Sequence, residues 1–132
     1  MRNQSREAWL APAADGGWGV VEILPHLRDW EEIYLSRAES ILRDESPRLP
    51  SFDDTLWAIE RDYRGQDPAD TLRQFRELRS RFVALLGNAS PDAWLREGEH
   101  GAYGRISLHW LADHICDHDQ EHMQQALDAL AS

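Results

Sequence analysis

His114-Ile115-Cys116-Asp117-His118-Asp119-Gln120-Glu121-His122 is the most informative segment of the chain. Taken as helix, it carries an apolar stripe from Leu108, Leu111 and Ile115 through His118 and His122 to Ala126 and Ala129, because positions three and four apart share a face. Two histidines therefore stand where Leu or Ile is expected. A buried imidazole without a partner costs on the order of a few kcal/mol. Either hydrogen bonds to backbone or a neighbouring carboxylate satisfy the pair, or the pair binds a divalent metal. His at i and i+4 aims two ring nitrogens at one point, about one helical turn apart.

Two imidazoles on one helix hold a metal poorly. Transition-metal sites use three or four protein ligands, and catalytic ones leave a position open. By residue type the best third donor is His26, beside Leu27 and Trp30 on an earlier helix. His114 lies one turn before His118, but its phase drifts off the stripe. It reads as a fourth ligand, a group that orients a ligand, or a surface residue. His109 and His100 read as helix-surface and loop residues. Most Asp and Glu fall on charged faces, where solvation explains them. Cys116 lies on a different face from His118 and His122 and reads as packing.

Outward from this segment the pattern is helical. Residues 18–44 carry Ile23, Leu24, Leu27, Trp30, Tyr34, Ala38, Ile41 and Leu42 at a 3.6-residue period. Pro25 interrupts that pattern and is expected to kink the helix or mark its first turn. Phe52 to Tyr63 reads as a short helix anchored by Trp57. Asp67-Pro68-Ala69-Asp70 starts a helix whose seam is Leu72, Phe75, Leu78, Phe82, Leu85 and Leu86, ended by Gly87-Asn88. Ser90-Pro91-Asp92 starts a short turn of helix that places Trp94. Residues 97–105, with three glycines, read as loop, and Ser107 caps a last helix running to about Leu130. No stretch reads as a convincing strand. The expectation is one all-α domain over 1–132: a helical bundle with core 18–130, short helices in its loops, and an irregular or short helix over 1–17.

Composition narrows the partners. The net charge is −10 over 132 residues, and all 14 basic side chains are arginine. Such a surface repels phosphate backbones and anionic membranes, so neither nucleic acid nor membrane is expected. No run approaches the roughly 18 apolar residues of a membrane span. Met1 to Leu10 lacks the apolar core of a secretory signal, and one cysteine forms no internal disulfide. A cytoplasmic protein is expected. Six tryptophans point to aromatic packing around a pocket or between helices.

Four pieces in order carry a resemblance: Trp18-Gly19-Val20-Val21-Glu22-Ile23-Leu24, His26-Leu27-Arg28-Asp29-Trp30-Glu31, Glu60-Arg61-Asp62-Tyr63 and His118-Asp119-Gln120-Glu121-His122. Together with the lead-in from His100 to Leu108, they resemble the DinB/YfiT-like family over roughly residues 16–126. The resemblance implies an up-down four-helix bundle with a divalent metal, usually zinc or nickel, on three histidines, which here are His26, His118 and His122. It also implies chemistry with a low-molecular-weight thiol and an electrophilic substrate, since characterised relatives include thiol-dependent transferases and isomerases. The other expectation is a non-catalytic metal- or small-molecule-binding bundle, or a dimerising interaction module, with a structural or vestigial histidine site. The substrate side would be built from Trp57, Arg61, Tyr63, Trp94 and Tyr103, with packing as their alternative role. The sequence departs from the family where the first helix should stand, which is very short or lost. A lost helix would leave an apolar groove, and a homodimer would fill it. Pro25 is expected to disturb His26.

Overall fold

The computed structural model describes Ala8 and residues 17–131. The expected short first helix lies outside these residues. Three long helices dominate: α1 (Val20–Arg43), α3 (Pro68–Gly87) and α5 (Leu108–Ala131), with single turns α2 (Trp57–Glu60) and α4 (Pro91–Trp94) between them. Helix α1 packs against both α3 and α5. Its apolar stripe forms two clusters. One joins Tyr34, Leu35, Ala38 and Ile41 to Phe82, Leu108, Leu111 and Ile115. The other joins Val20, Ile23 and Leu24 to Ala126 and Ala129 at the opposite end of α5. His118 and His122 fall in the gap between these clusters. The stripe read from the sequence is therefore the buried face of α5, and the histidines occupy its middle.

The helix boundaries follow from local chemistry. Pro68 supplies the first turn of α3 behind Asp67, and Asn88 ends the helix. Ser107 Oγ accepts a hydrogen bond from the Trp110 amide, satisfying one free donor at the start of α5. Ser90 does the same for α4 by accepting from the Ala93 amide. Helix α1 runs through Pro25, which lies in its second turn and is buried. At the far end Arg96 donates from Nε to the Ile41 carbonyl and from its terminal nitrogen to the Asp44 carbonyl. Those carbonyls close the end of α1, where no further turn donates to them.

Two expectations are corrected. Residues 97–105 are not a loop but most of a hairpin: β2 (Glu97–His100) runs antiparallel to β3 (Gly104–Ser107), and β1 (Arg48–Leu49) adds in parallel on the other side of β2. The glycines that suggested a loop are what the sheet needs. A Cβ at Gly98 would lie 3.0 Å from the Pro47 carbonyl oxygen and from Leu49, so only glycine lets β1 approach. Gly104 takes a left-handed backbone, φ 74°, where the chain turns back. The other correction concerns Phe52–Tyr63, of which only Trp57–Glu60 is α-helical, followed by a 3-10 turn over Tyr63–Gly65. Asp62, at φ 48°, breaks the helix between them. Among the described residues, no helix is long and apolar enough to cross a membrane.

Candidate metal centre

His26 comes from the second turn of α1, and His118 and His122 from consecutive turns of α5. The structure brings all three together. His122 Nε2 lies 3.1 Å from His26 Nε2 and 3.1 Å from His118 Nε2. One ligand atom from each lies within 4.8 Å of the other two. A ring nitrogen either donates or accepts, so His122 Nε2 cannot donate to both neighbours. A tetrahedral ion with metal–nitrogen bonds of about 2.0–2.1 Å sets its ligand nitrogens roughly 3.3 Å apart. The donor set and its spacing fit a divalent cation. Pro25 does not turn His26 away.

Groups behind the rings set their orientation. Gln125 Oε1 lies 2.9 Å from His122 Nδ1. A carbonyl oxygen only accepts, so the proton sits on Nδ1 and the Nε2 lone pair faces the cluster. Asp54 Oδ2 lies 3.9 Å from His26 Nδ1, a buried nitrogen with no hydrogen-bond partner. Asp54 is itself held by the Trp30 indole, whose Nε1 donates to Oδ2 at 2.9 Å. Burial pulls the His26 pKa down to about 4; nearby His122 adds to the effect, and Asp54 and Asp29 oppose it. Burial, then His122 and His26, pull His118 down to about 3. Both rings are therefore neutral near pH 7, the form that ligates a metal.

The centre opens onto a cavity of about 610 Å³, lined among others by Trp30, Tyr34, Arg37, Tyr103, His114 and Glu121. Two polar clamps fasten the elements that carry the histidines. Asp29 is buried on α1 and accepts from the Tyr63 hydroxyl at 2.7 Å, while pairing with Arg61 at 3.0 Å and Arg28 at 3.0 Å. This ties the 57–65 connector to α1, one turn beyond His26. Tyr63 in turn meets the Trp18 ring edge-on, and Trp18 meets His26 the same way, centroids 5.1 Å apart. Segments that are separate in the sequence signature, 18–24, 26–31 and 60–63, thus form one contact network around His26. The second clamp is Glu31, 2% exposed, held by two bonds of 2.8 Å from Arg79 on α3, which also reaches Asp119 on α5 at 2.7 Å. One arginine thereby links all three long helices beside the histidines.

Other residues fall differently from their sequence readings. His114 is half-buried and stacks on Trp110, rings 4.8 Å apart, on the cavity wall. It is not one of the three clustered histidines. His100 is not a loop residue: it is buried on β2, and its Nδ1 accepts from the Ala102 and Tyr103 amides. His109 is on the surface, as expected. Cys116 is exposed rather than packed. Of the proposed substrate-side residues, Tyr103 lines the cavity. Trp57 is buried beneath Arg61, whose guanidinium carbon stands 4.0 Å from its ring, and Tyr63 is tied to Asp29. Trp94 packs on His109. Asp29 and Glu31 are buried ion-pair partners, not solvated charges. Gln125, three residues past His122 on the same helix, could have been found by that spacing; Asp54 and Arg37 have no spacing that links them to the histidines.

Residues 1–126 match the sequence profile of the DinB superfamily. Among curated proteins, the chain is similar to "Putative metal-dependent hydrolase YfiT" of Bacillus subtilis (strain 168), 30% identical over 89 residues, 67% of this chain and 50% of that protein. It therefore spans half the length of that relative. It is also similar to "Putative metal-dependent hydrolase OB0413" of Oceanobacillus iheyensis, 25% identical over 119 residues, 89% of this chain and 68% of that one. Among solved structures it resembles YfiT from Bacillus subtilis, described as "a probable metal-dependent hydrolase with an unusual four-helix bundle topology". The TM-score is 0.88 at 24% identity, over 98% of this chain and 74% of that one, which establishes the four-helix-bundle fold. The chain belongs to the DinB superfamily.

Proposed function

We propose that His26, His118 and His122 hold one divalent ion, zinc or nickel, and that the protein transfers a low-molecular-weight thiol to an electrophile in the adjoining cavity. The observation that carries this reading is the convergence of three Nε2 atoms from two helices at the edge of a cavity of about 610 Å³. A structural zinc site is closed by four protein ligands, whereas a catalytic one has three and an open position. Only three donors of this kind cluster among the described residues. A divalent ion here supplies Lewis acidity, which lowers the pKa of a nucleophile in its open position towards neutrality.

The chain's own residues do the rest. Gln125 fixes the His122 tautomer, and Asp54 stands behind His26. The aromatic wall of Trp30, Tyr34 and Tyr103 gives an apolar body of substrate something to lie against. A thiol nucleophile asks little of protein bases. That suits this cavity, because Asp54 is held by Trp30 and Asp119 by Arg79. A second reading is hydrolysis, the activity in the names of the relatives, and it is favoured by Glu121 on the cavity lining.

The test loads the full chain with zinc or nickel and follows 1-chloro-2,4-dinitrobenzene with cysteine or glutathione, and separately p-nitrophenyl acetate without thiol. Metal- and thiol-dependent turnover that His118→Ala removes supports thiol transfer. Metal-dependent ester cleavage alone, lost in Glu121→Gln, supports hydrolysis. A chain that takes up no metal, or the same amount as His118→Ala, overturns both.

A further inference from the structure

Arg37 is the odd charge in this cavity. It lies on α1, one turn past Ile33, and is 5% exposed. One terminal nitrogen donates to the Pro50 carbonyl at 3.0 Å, while Nε is buried with no hydrogen-bond partner. Among the described residues no carboxylate pairs with it. The groups facing it are the rings of Trp30 and Tyr34, whose centroids lie 5.6 and 5.9 Å from its guanidinium carbon. The two buried carboxylates of α1 are already occupied: Asp29 by Arg28, Arg61 and Tyr63, and Glu31 by Arg79. A buried cation without a counter-ion is costly, and a ring face compensates only part of that cost. The cost is recovered when an anion enters.

We propose that Arg37 is the recognition residue for a carboxylate on the small molecule that occupies the cavity beside the three histidines. The proposal rests on the cavity being the substrate site, and deepens that reading by giving the substrate an anionic end. The position fits: Arg37 stands against Tyr34, and Tyr34 meets the His118 ring edge-on, centroids 5.6 Å apart. A molecule whose reacting atom is at the histidines reaches Arg37 across one aromatic ring. A planar fork of N–H donors matches a carboxylate. A single cation also matches a single negative charge better than a phosphate dianion. The two other basic groups on this wall, His100 and His114, are held below their ordinary range by burial first and by Arg37 second, so neither adds positive charge near pH 7.

Phenylacetate and its neutral isostere phenylacetamide test this by calorimetric titration of the full chain, in metal-free and zinc-loaded forms. The metal-free form is expected to bind the acid roughly tenfold tighter than the amide. Arg37→Gln is expected to abolish that preference while leaving amide binding intact, and Arg37→Lys to keep part of it. In wild type, the Arg37 Nε–H resonance in a ¹⁵N spectrum is expected to shift with the acid and not with the amide, which reads the contact even where a variant fails to fold. An equal affinity for both probes overturns the proposal. So does a preference that survives Arg37→Gln, or one present only in the zinc-loaded form, which marks a carboxylate on the metal. Failure to load zinc counts against the metal reading alone, since the metal-free titration still decides on Arg37.

Discussion

Two imidazoles of the centre have a polar group behind them. Gln125 fixes the proton on His122 Nδ1, and Asp54 faces His26 Nδ1 across 3.9 Å. Partners of this kind commonly govern metal affinity by 10–100-fold. Gln125→Leu and Asp54→Asn are therefore each expected to weaken zinc binding by roughly that factor, measured by competition with a chromogenic chelator. The buried rings also make the metal-free protein acid-sensitive. His26 and His118 titrate at about 4 and about 3 in the folded chain, against about 6.5 when unfolded. Between those limits the unfolded chain binds more protons, so acid favours unfolding. The stability is whole above pH ~6.5 and is lost as pH falls through about 4. The urea midpoint of metal-free protein should decline over that range, and His118→Ala should flatten the decline. An equally steep decline in the variant would show that other groups cause it. At this scale the three clustered histidines were legible in the sequence, because two occupy an apolar seam and the third follows in the resemblance. Arg37 and Asp54 were not, since their significance arises only from what stands opposite them.

Among the elements, α5 carries the site because it is core on both sides of it. Ile115, 4% exposed, packs in the cluster just before His118. Ile115→Ala should cost about 2–5 kcal/mol in chemical denaturation, and Ser107→Ala, which removes the cap of α5, about 1 kcal/mol. Arg79→Met strands Glu31 as a buried charge and separates α1, α3 and α5 at once. Its expected cost is on the order of 3 kcal/mol, and Glu31→Gln in the same chain should recover part of it. The long helices were readable because each repeats its apolar positions every 3.6 residues. The hairpin was not: β1 is two residues long, and Gly98, Gly101 and Gly104 imitate a loop. The pairing of β1 with β2 joins segments some fifty residues apart, and local periodicity carries no trace of it. The burial of Asp29 and Glu31 was hidden for the same reason, as Arg61, Tyr63 and Arg79 approach only in three dimensions.

Over the whole molecule, the three histidines come from two helices packed on one another, so an ion bound between them would fasten α1 to α5. Anything that binds the folded state alone stabilises it, by about 2.7 kcal/mol at a free concentration one hundred times Kd. Zinc should thus raise Tm by several degrees in wild type and leave His122→Ala unmoved, as followed by calorimetry. The central claim is that one cation sits among nitrogens from these two helices. Anomalous diffraction at the zinc edge, from crystals of the zinc-loaded chain, tests it most directly. The account predicts one strong peak about 2.0–2.1 Å from Nε2 of His26, His118 and His122, with a coordination position facing the cavity. A peak elsewhere, or a fully loaded ion that leaves His26 out of its ligand set, would contradict it.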